Sequence, residues 1–291
     1  MEVTLENNLY KAIVKSFGAE LISFQSKENG IEYIWGGNPE YWGRHTPILF
    51  PHVGRLKNDT FSYNGVSYQS TQHGFARDSE FELAEHSTEF VRFLLKENEE
   101  TLKRYPFRFE LSVSYQLSDK GIETIWEVRN PGAKEVLYFG IGGHPAFNVP
   151  MTENLTFEDY YFEIEPKGKK KRLPFVPPYL DMANTYEEEV GKITLTHDLF
   201  HNDALVYETN EPTAITIKSD KSPHSLTLSY KKIEYVGLWS PYPKESSFVC
   251  IEPWHSFADT PEATGSLAEK ASIQKLEPKE TFQTSYLISV K

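Results

Sequence analysis

Three short segments of this chain concentrate ionisable side chains among glycine, proline and aromatic residues. The first runs from Trp42-Gly43-Arg44 through Phe50-Pro51-His52-Val53-Gly54-Arg55 to His73-Gly74-Phe75-Ala76-Arg77-Asp78. The second is Gly142-Gly143-His144-Pro145-Ala146-Phe147-Asn148, and the third Ile251-Glu252-Pro253-Trp254-His255. Such loops on a rigid scaffold suit a ligand site, because glycine lets the backbone approach a ligand closely. His73 and His144 offer imidazoles able to exchange a proton near neutral pH. A structural hydrogen-bonding role stays open for each. Glu252 follows the apolar run Phe248-Val249-Cys250-Ile251 and precedes a proline expected to end the ladder. Its carboxylate is therefore expected at a strand end, partly desolvated and with raised proton affinity. A structural salt bridge is the alternative.

Other chemistries find less support. Nine histidines occur, but His197 and His201, which have metal-ligand spacing, lie in flanks that suggest neither a helix nor an open site. Cysteines are not paired, so no metal site is expected. There is no G-x-S-x-G elbow, and Cys250 lies inside an apolar run, which argues against a Ser or Cys nucleophile. The phosphate-cradling G-x-x-x-x-G-K-[ST] and G-x-G-x-x-G patterns are absent, which argues against the commonest nucleotide cofactors.

The elements that must hold these segments are strands. Phe107, Phe109, Leu111, Val113, Tyr115 and Leu117 alternate with polar residues, and Ile122, Thr124, Trp126 and Val128 repeat the pattern after the Asp119-Lys120-Gly121 turn, which reads as a hairpin. A second hairpin is expected where Asn64-Gly65 separates Phe61 and Tyr63 from Val66 and Tyr68, since this pair tolerates a type I′ turn. Further strands are expected over 10–17, 21–26, 90–95, 161–165, 214–218, 225–230, 235–239, 248–251 and 284–290. Only 97–104 and 266–271 have helical composition. Many short strands between turns indicate a sandwich or barrel. The stretch 166–178, with its Lys169-Lys170-Lys171-Arg172 run and prolines, is expected to be a solvated surface loop.

All-β folds commonly use 291 residues as one unit, so a single domain over 1–291 is expected. With 39% hydrophobic and 14% aromatic residues, the core should be rich in Phe and Tyr. The 42 acidic and 30 basic residues give a formal charge of −12, which disfavours nucleic acid and anionic membrane as partners. A single cysteine fits a reducing compartment. With no basic or apolar leader and no membrane-length apolar run, the expected location is the cytoplasm.

Five motifs in order across nearly the whole chain carry a family likeness. They are Pro47-Ile48-Leu49-Phe50-Pro51 with Gly54-Arg55, His73-Gly74-Phe75-Ala76-Arg77-Asp78, Gly143-His144-Pro145-Ala146-Phe147-Asn148, Asn202-Asp203-Ala204-Leu205, and Glu252-Pro253-Trp254. Together they resemble the aldose 1-epimerase (galactose mutarotase) superfamily, most closely its LacX-like branch. The resemblance implies a β-supersandwich and a cofactor-independent mutarotase that needs no metal. It also implies that His144 is the general acid, Glu252 the general base and His73 a second active-site histidine, with Arg55 and Asp203 at substrate-binding positions. The Gly-Phe-Ala-Arg run after His73 matches the branch that includes glucose-6-phosphate 1-epimerases, making Arg77 a candidate phosphate or hydroxyl contact. Trp254, Phe147 and Phe75 could stack on a pyranose, leaving its hydroxyls to Arg55, Asp203 and Asn148; core packing is the alternative for Phe75 and Phe147.

The expected partner is thus a small-molecule sugar, a free or phosphorylated hexose, and the expected assembly a monomer or homodimer. A hexose-6-phosphate 1-epimerase, with Arg44, Arg55 or Arg77 gripping phosphate, is the alternative enzyme. A non-catalytic carbohydrate-binding protein is the alternative from another class. A glycosidase would need two carboxylates across the bond, for which Glu252 with Asp203 are the candidates.

Overall fold

Alternation of apolar and polar residues becomes strand wherever it is sustained. The computed structural model describes residues 1–291. Glu110–Ser118 and Gly121–Arg129 form the expected hairpin, with Trp126 opposite Val113 and both buried. The Asn64-Gly65 turn joins Thr60–Tyr63 to Val66–Gln69, and both turn residues have the positive φ of a type I′ geometry (49° and 78°). A 15-stranded sheet dominates the molecule and a 3-stranded sheet, Glu2–Glu6, Tyr10–Lys15 and Glu20–Ser26, accompanies it. Paired strands in both are antiparallel, and the architecture is the β-sandwich that the family resemblance implies and the strand pattern permits. Trp126, Tyr33, Tyr105, Tyr160, Tyr207 and several phenylalanines are its largest fully buried side chains. The core is aromatic, as the composition suggests.

Of the two helical stretches, the first is an α-helix at Glu99–Arg104, started by Asn98 in a capping box with Thr101. The second is only a 3-10 turn at Leu267–Glu269.

Two expectations fail, both at prolines. The stretch 166–178 is not a solvated loop: Tyr161–Leu173 is one strand, followed by Phe175–Val176. Its basic run lies in register with an acidic strand, Lys169 opposite Glu189, Lys170 opposite Glu188 and Lys171 opposite Glu187. Opposite charges facing across an antiparallel pair favour pairing, which a count along one segment cannot reveal. Lys170 is buried and its Nζ reaches Glu211 at 2.8 Å. Second, Pro253 does not end its ladder. Phe248–His255 is a continuous strand, paired along Tyr235–Trp239 with Pro253 opposite Val236. Glu252 is therefore mid-strand and 1% exposed.

Candidate active site

The course of the Phe248–His255 strand places the central pair. On the edge away from Tyr235–Trp239 it meets two short strands, with Gly142 opposite Trp254 and Ala146 opposite Cys250. Both pairings share one register, and carrying it across the gap sets His144 opposite Glu252. The gap is where prolines interrupt the ladder. Ile251 donates its N–H to Pro145 O at 3.3 Å, so by alternation the nitrogen of Pro253 points toward the same edge, where it has no hydrogen to give. His144 Nε2 lies 3.2 Å from Glu252 Oε2.

Aromatic rings hold the imidazole of His144. Trp42 stacks on it at 4.7 Å, and the ring edges of Trp239 and His73 approach at 5.4 and 5.6 Å. His73 has φ of 66°, and its Nδ1 accepts the Gly54 N–H at 3.0 Å. In the neutral ring this puts the proton on Nε2, which lies 3.3 Å from the Gln72 carboxamide. Trp254 fits between two glycines: a Cβ on Gly142 or Gly237 would stand 2.7 Å from its indole. The buried Trp254 Nε1–H is near enough to Glu252 to favour its carboxylate, yet completes no hydrogen bond.

Burial sets the charge of the pair. It raises the Glu252 carboxyl well above the usual carboxylate range, and the Asp203 carboxylate raises it further. Burial likewise pushes His144 down to about 3, with Arg77 adding to the effect. Both groups favour their neutral forms, so they hold one proton between them and no net charge. His73 is held well below its ordinary range by burial first and then by His144 and Arg77, and is neutral too. Asp203, with φ of 74°, is raised by burial; its Oδ1 accepts from Ala204 N at 2.8 Å.

These groups open onto a cavity of about 350 Å3, a size that takes a small ligand. Of the residues singled out from the sequence, His144, Glu252, His73, Arg55, Asp203, Arg77 and Trp254 all line it, as does Arg44. Arg44 Nη2 is paired with Asp78 at 3.0 Å, Arg55 Nε with Asp59 at 3.1 Å, and Arg77 Nη2 donates to Gln72 O at 2.7 Å. Burial, and then Arg44, lower the Arg77 guanidinium to about 10.

Asn148 lies elsewhere. Its Nδ2 donates to the carbonyls of Glu32 and Ile34, both at 2.9 Å, so it ties strands together. Phe147 and Phe75 belong to the main core, the latter edge-on to Phe50. His197 stacks on Phe157, and His201 Nδ1 lies 2.9 Å from the Asp198 carbonyl; the two form no metal pair. Sequence reasoning missed the roles of Trp42, Trp239, Gln72 and Phe175 in the cavity wall. For Trp42 the only signal was its place beside Arg44, and Phe175 lay in the stretch read as a surface loop.

Comparison with known proteins shows the family of this chain. A family model described as Aldose 1-epimerase matches residues 1–265. The protein LacX (plasmid) of Lactococcus lactis subsp. lactis is 33% identical over 300 residues, covering 100% of this chain and 99% of that protein. The X-ray structure of a galactose mutarotase related enzyme from Lactobacillus acidophilus superposes with a TM-score of 0.97 at 41% identity, over 100% of this chain and 97% of that one. A galactose mutarotase-like protein from Lactobacillus casei ATCC 334 gives a TM-score of 0.92 at 32% identity, with both chains covered completely. With its length matched almost throughout, this chain belongs to the aldose 1-epimerase family.

Proposed function

We propose that this protein is an isomerase that interconverts the α and β anomers of an aldose by general acid-base catalysis. The observation that carries the reading is the 3.2 Å contact between His144 Nε2 and Glu252 Oε2 at a cavity wall. Opening a cyclic hemiacetal requires a proton to leave the C1 hydroxyl and another to reach the ring oxygen. A pair with one proton to give and one vacancy to fill meets both needs.

In the working tautomer the shared proton sits on His144. It moves there across the 3.2 Å contact without changing the net charge of the site. Glu252 takes the C1 hydroxyl proton while His144 delivers its own to the ring oxygen, breaking the C1–O5 bond. Rotation about C1–C2 presents the other face of the aldehyde, and the transfers run in reverse to close the ring. The pair regains its starting form, so no redox carrier enters the balance. His73 donates Nε2–H to the sugar, a role fixed by the Gly54 N–H on its other nitrogen. Asp203 and Arg55 bind hydroxyls, and Trp254 offers an apolar face to the ring.

A second reading, that the substrate carries a phosphate, draws support from Arg44, Arg55 and Arg77, which all line the same cavity. Guanidinium groups gathered beside a sugar site suit bidentate contact with an anionic substituent. One NMR experiment tests both readings, by measuring exchange between anomers of free glucose, galactose and glucose 6-phosphate with and without enzyme. Acceleration with the free sugars supports the first reading, and with the phosphate alone the second. Sugar binding with no acceleration of any anomer exchange would leave a binding protein and refute both.

A further inference from the structure

Cys250 takes no part in the chemistry above, yet lies directly beneath it. It and Glu252 are alternate residues of one strand and so share a face. Cys250 Sγ, one nitrogen of His144 and one carboxylate oxygen of Glu252 lie within 4.8 Å of one another, and all three residues are buried. Donors no farther apart than this share a point about 2.8 Å or less from each, so a contraction of under ~1 Å reaches the 2.0–2.3 Å bonds of zinc. Two donors come from one strand and the third from the break between two others, far away in the sequence, so no motif announces them.

We propose that Cys250, His144 and Glu252 form a three-donor site for a thiophilic divalent cation of the Zn2+ class, and that its binding blocks the cavity. A thiolate and a carboxylate neutralise the two positive charges, which a buried centre requires. Sulfur and imidazole nitrogen favour Zn2+, Co2+ or Cd2+ over Mg2+ and Ca2+, which take oxygen donors. Binding releases two protons, one from the Cys250 thiol and one from the His144–Glu252 pair, and no electrons move. His144 Nδ1 is buried without a hydrogen-bond partner, so no existing contact opposes the proton tautomer that metallation of Nε2 requires. The cavity that His144 and Glu252 line gives a cation its route to the donors, and a water from it would complete a tetrahedron.

The test uses Co2+ as probe on the full chain. Cys250 is the sole cysteine, so a thiolate-to-cobalt charge-transfer band can arise from no other residue. The expected result is such a band together with tetrahedral visible bands, saturating at one equivalent and bleached by Zn2+. In Cys250→Ala, and in the bulkier Cys250→Val in case alanine loosens the core, the charge-transfer band disappears. Anomer exchange persists in these variants, but half-inhibition requires at least ~10-fold more Zn2+. Absence of the charge-transfer band in folded wild type overturns the site, and so does undiminished Zn2+ sensitivity in both variants. Only the inhibition arm rests on the proposed activity; the spectral arm stands if no sugar is turned over.

Discussion

Glu252→Gln tests the proton-sharing pair most directly, because it keeps the shape of the side chain and removes its exchangeable proton. If Glu252 and His144 work as one unit, the substitution removes the catalysis of both. General acid-base catalysis contributes ~10²–10⁴-fold, which at ~1.4 kcal/mol per tenfold is about 3–6 kcal/mol of barrier. The assay is anomer exchange by NMR or polarimetry, with sugar affinity measured separately and expected to change little. The Glu252→Gln/His144→Asn double variant should be no slower than the worse single variant, since groups acting together are not additive. Stability gives an independent readout. An unfolded chain releases the Glu252 proton at ~4.3, whereas the fold retains it to a much higher pH through burial and Asp203. The folded form therefore binds this proton more tightly. Its contribution to stability is fully present below the unfolded value and is lost as pH rises toward the folded one, at up to about 1.4 kcal/mol per pH unit. Glutamine undergoes no such loss, so the Tm of the variant relative to wild type should climb between pH 4 and 7. A folded Glu252→Gln protein within tenfold of wild-type rate would refute the mechanism, and a Tm difference flat with pH would refute the buried-proton argument.

Other perturbations probe the surroundings of the pair. Gly237→Ala places a methyl 2.7 Å from the Trp254 indole; overpacking of ~1–3 kcal/mol should lower Tm, and displacement of Trp254 should raise KM more than it lowers kcat. If the substrate is phosphorylated, Arg77→Lys should raise KM for a hexose 6-phosphate by ~10-fold while leaving free hexose within twofold, because lysine cannot replace a bidentate fork; equal effects on both sugars would count against a phosphate role. Lys270 and Asp259 form a buried ion pair at 2.9 Å, so Lys270→Met should cost ~3–5 kcal/mol in denaturant melts by leaving a carboxylate unpaired. Adding Asp259→Asn should recover part of that loss, and no recovery would mean the lysine acts through packing alone.

What could be read from the sequence was whatever depends on periodicity or local turn chemistry. The 107–128 hairpin and the Asn64-Gly65 turn are of this kind, since each is decided by residues adjacent in the chain. The His144 and Glu252 assignments came from family likeness; nothing local places them 3.2 Å apart. That distance depends on a register shared by two short strands and the Phe248–His255 strand, and on a break between them where Pro145 and Pro253 carry no N–H. Reading Pro253 as the end of a ladder was sound local reasoning with the wrong outcome. A proline is excluded only where its missing hydrogen would have met an acceptor, and here it faces the break. The basic run at 169–172 was misread for a similar reason: it faces the acidic Glu187–Glu189 across the sheet, and Lys170, Lys171 and Arg172 pair with Glu211, Glu208 and Glu188. In both places a residue that disfavours a strand by itself is matched to a defect or a charge across the sheet, and the break at Pro145 and Pro253 is also where His144 and Glu252 meet. The same prolines that disguised the strand from sequence therefore leave the opening in which an imidazole and a carboxylate can face each other rather than flank a continuous ladder.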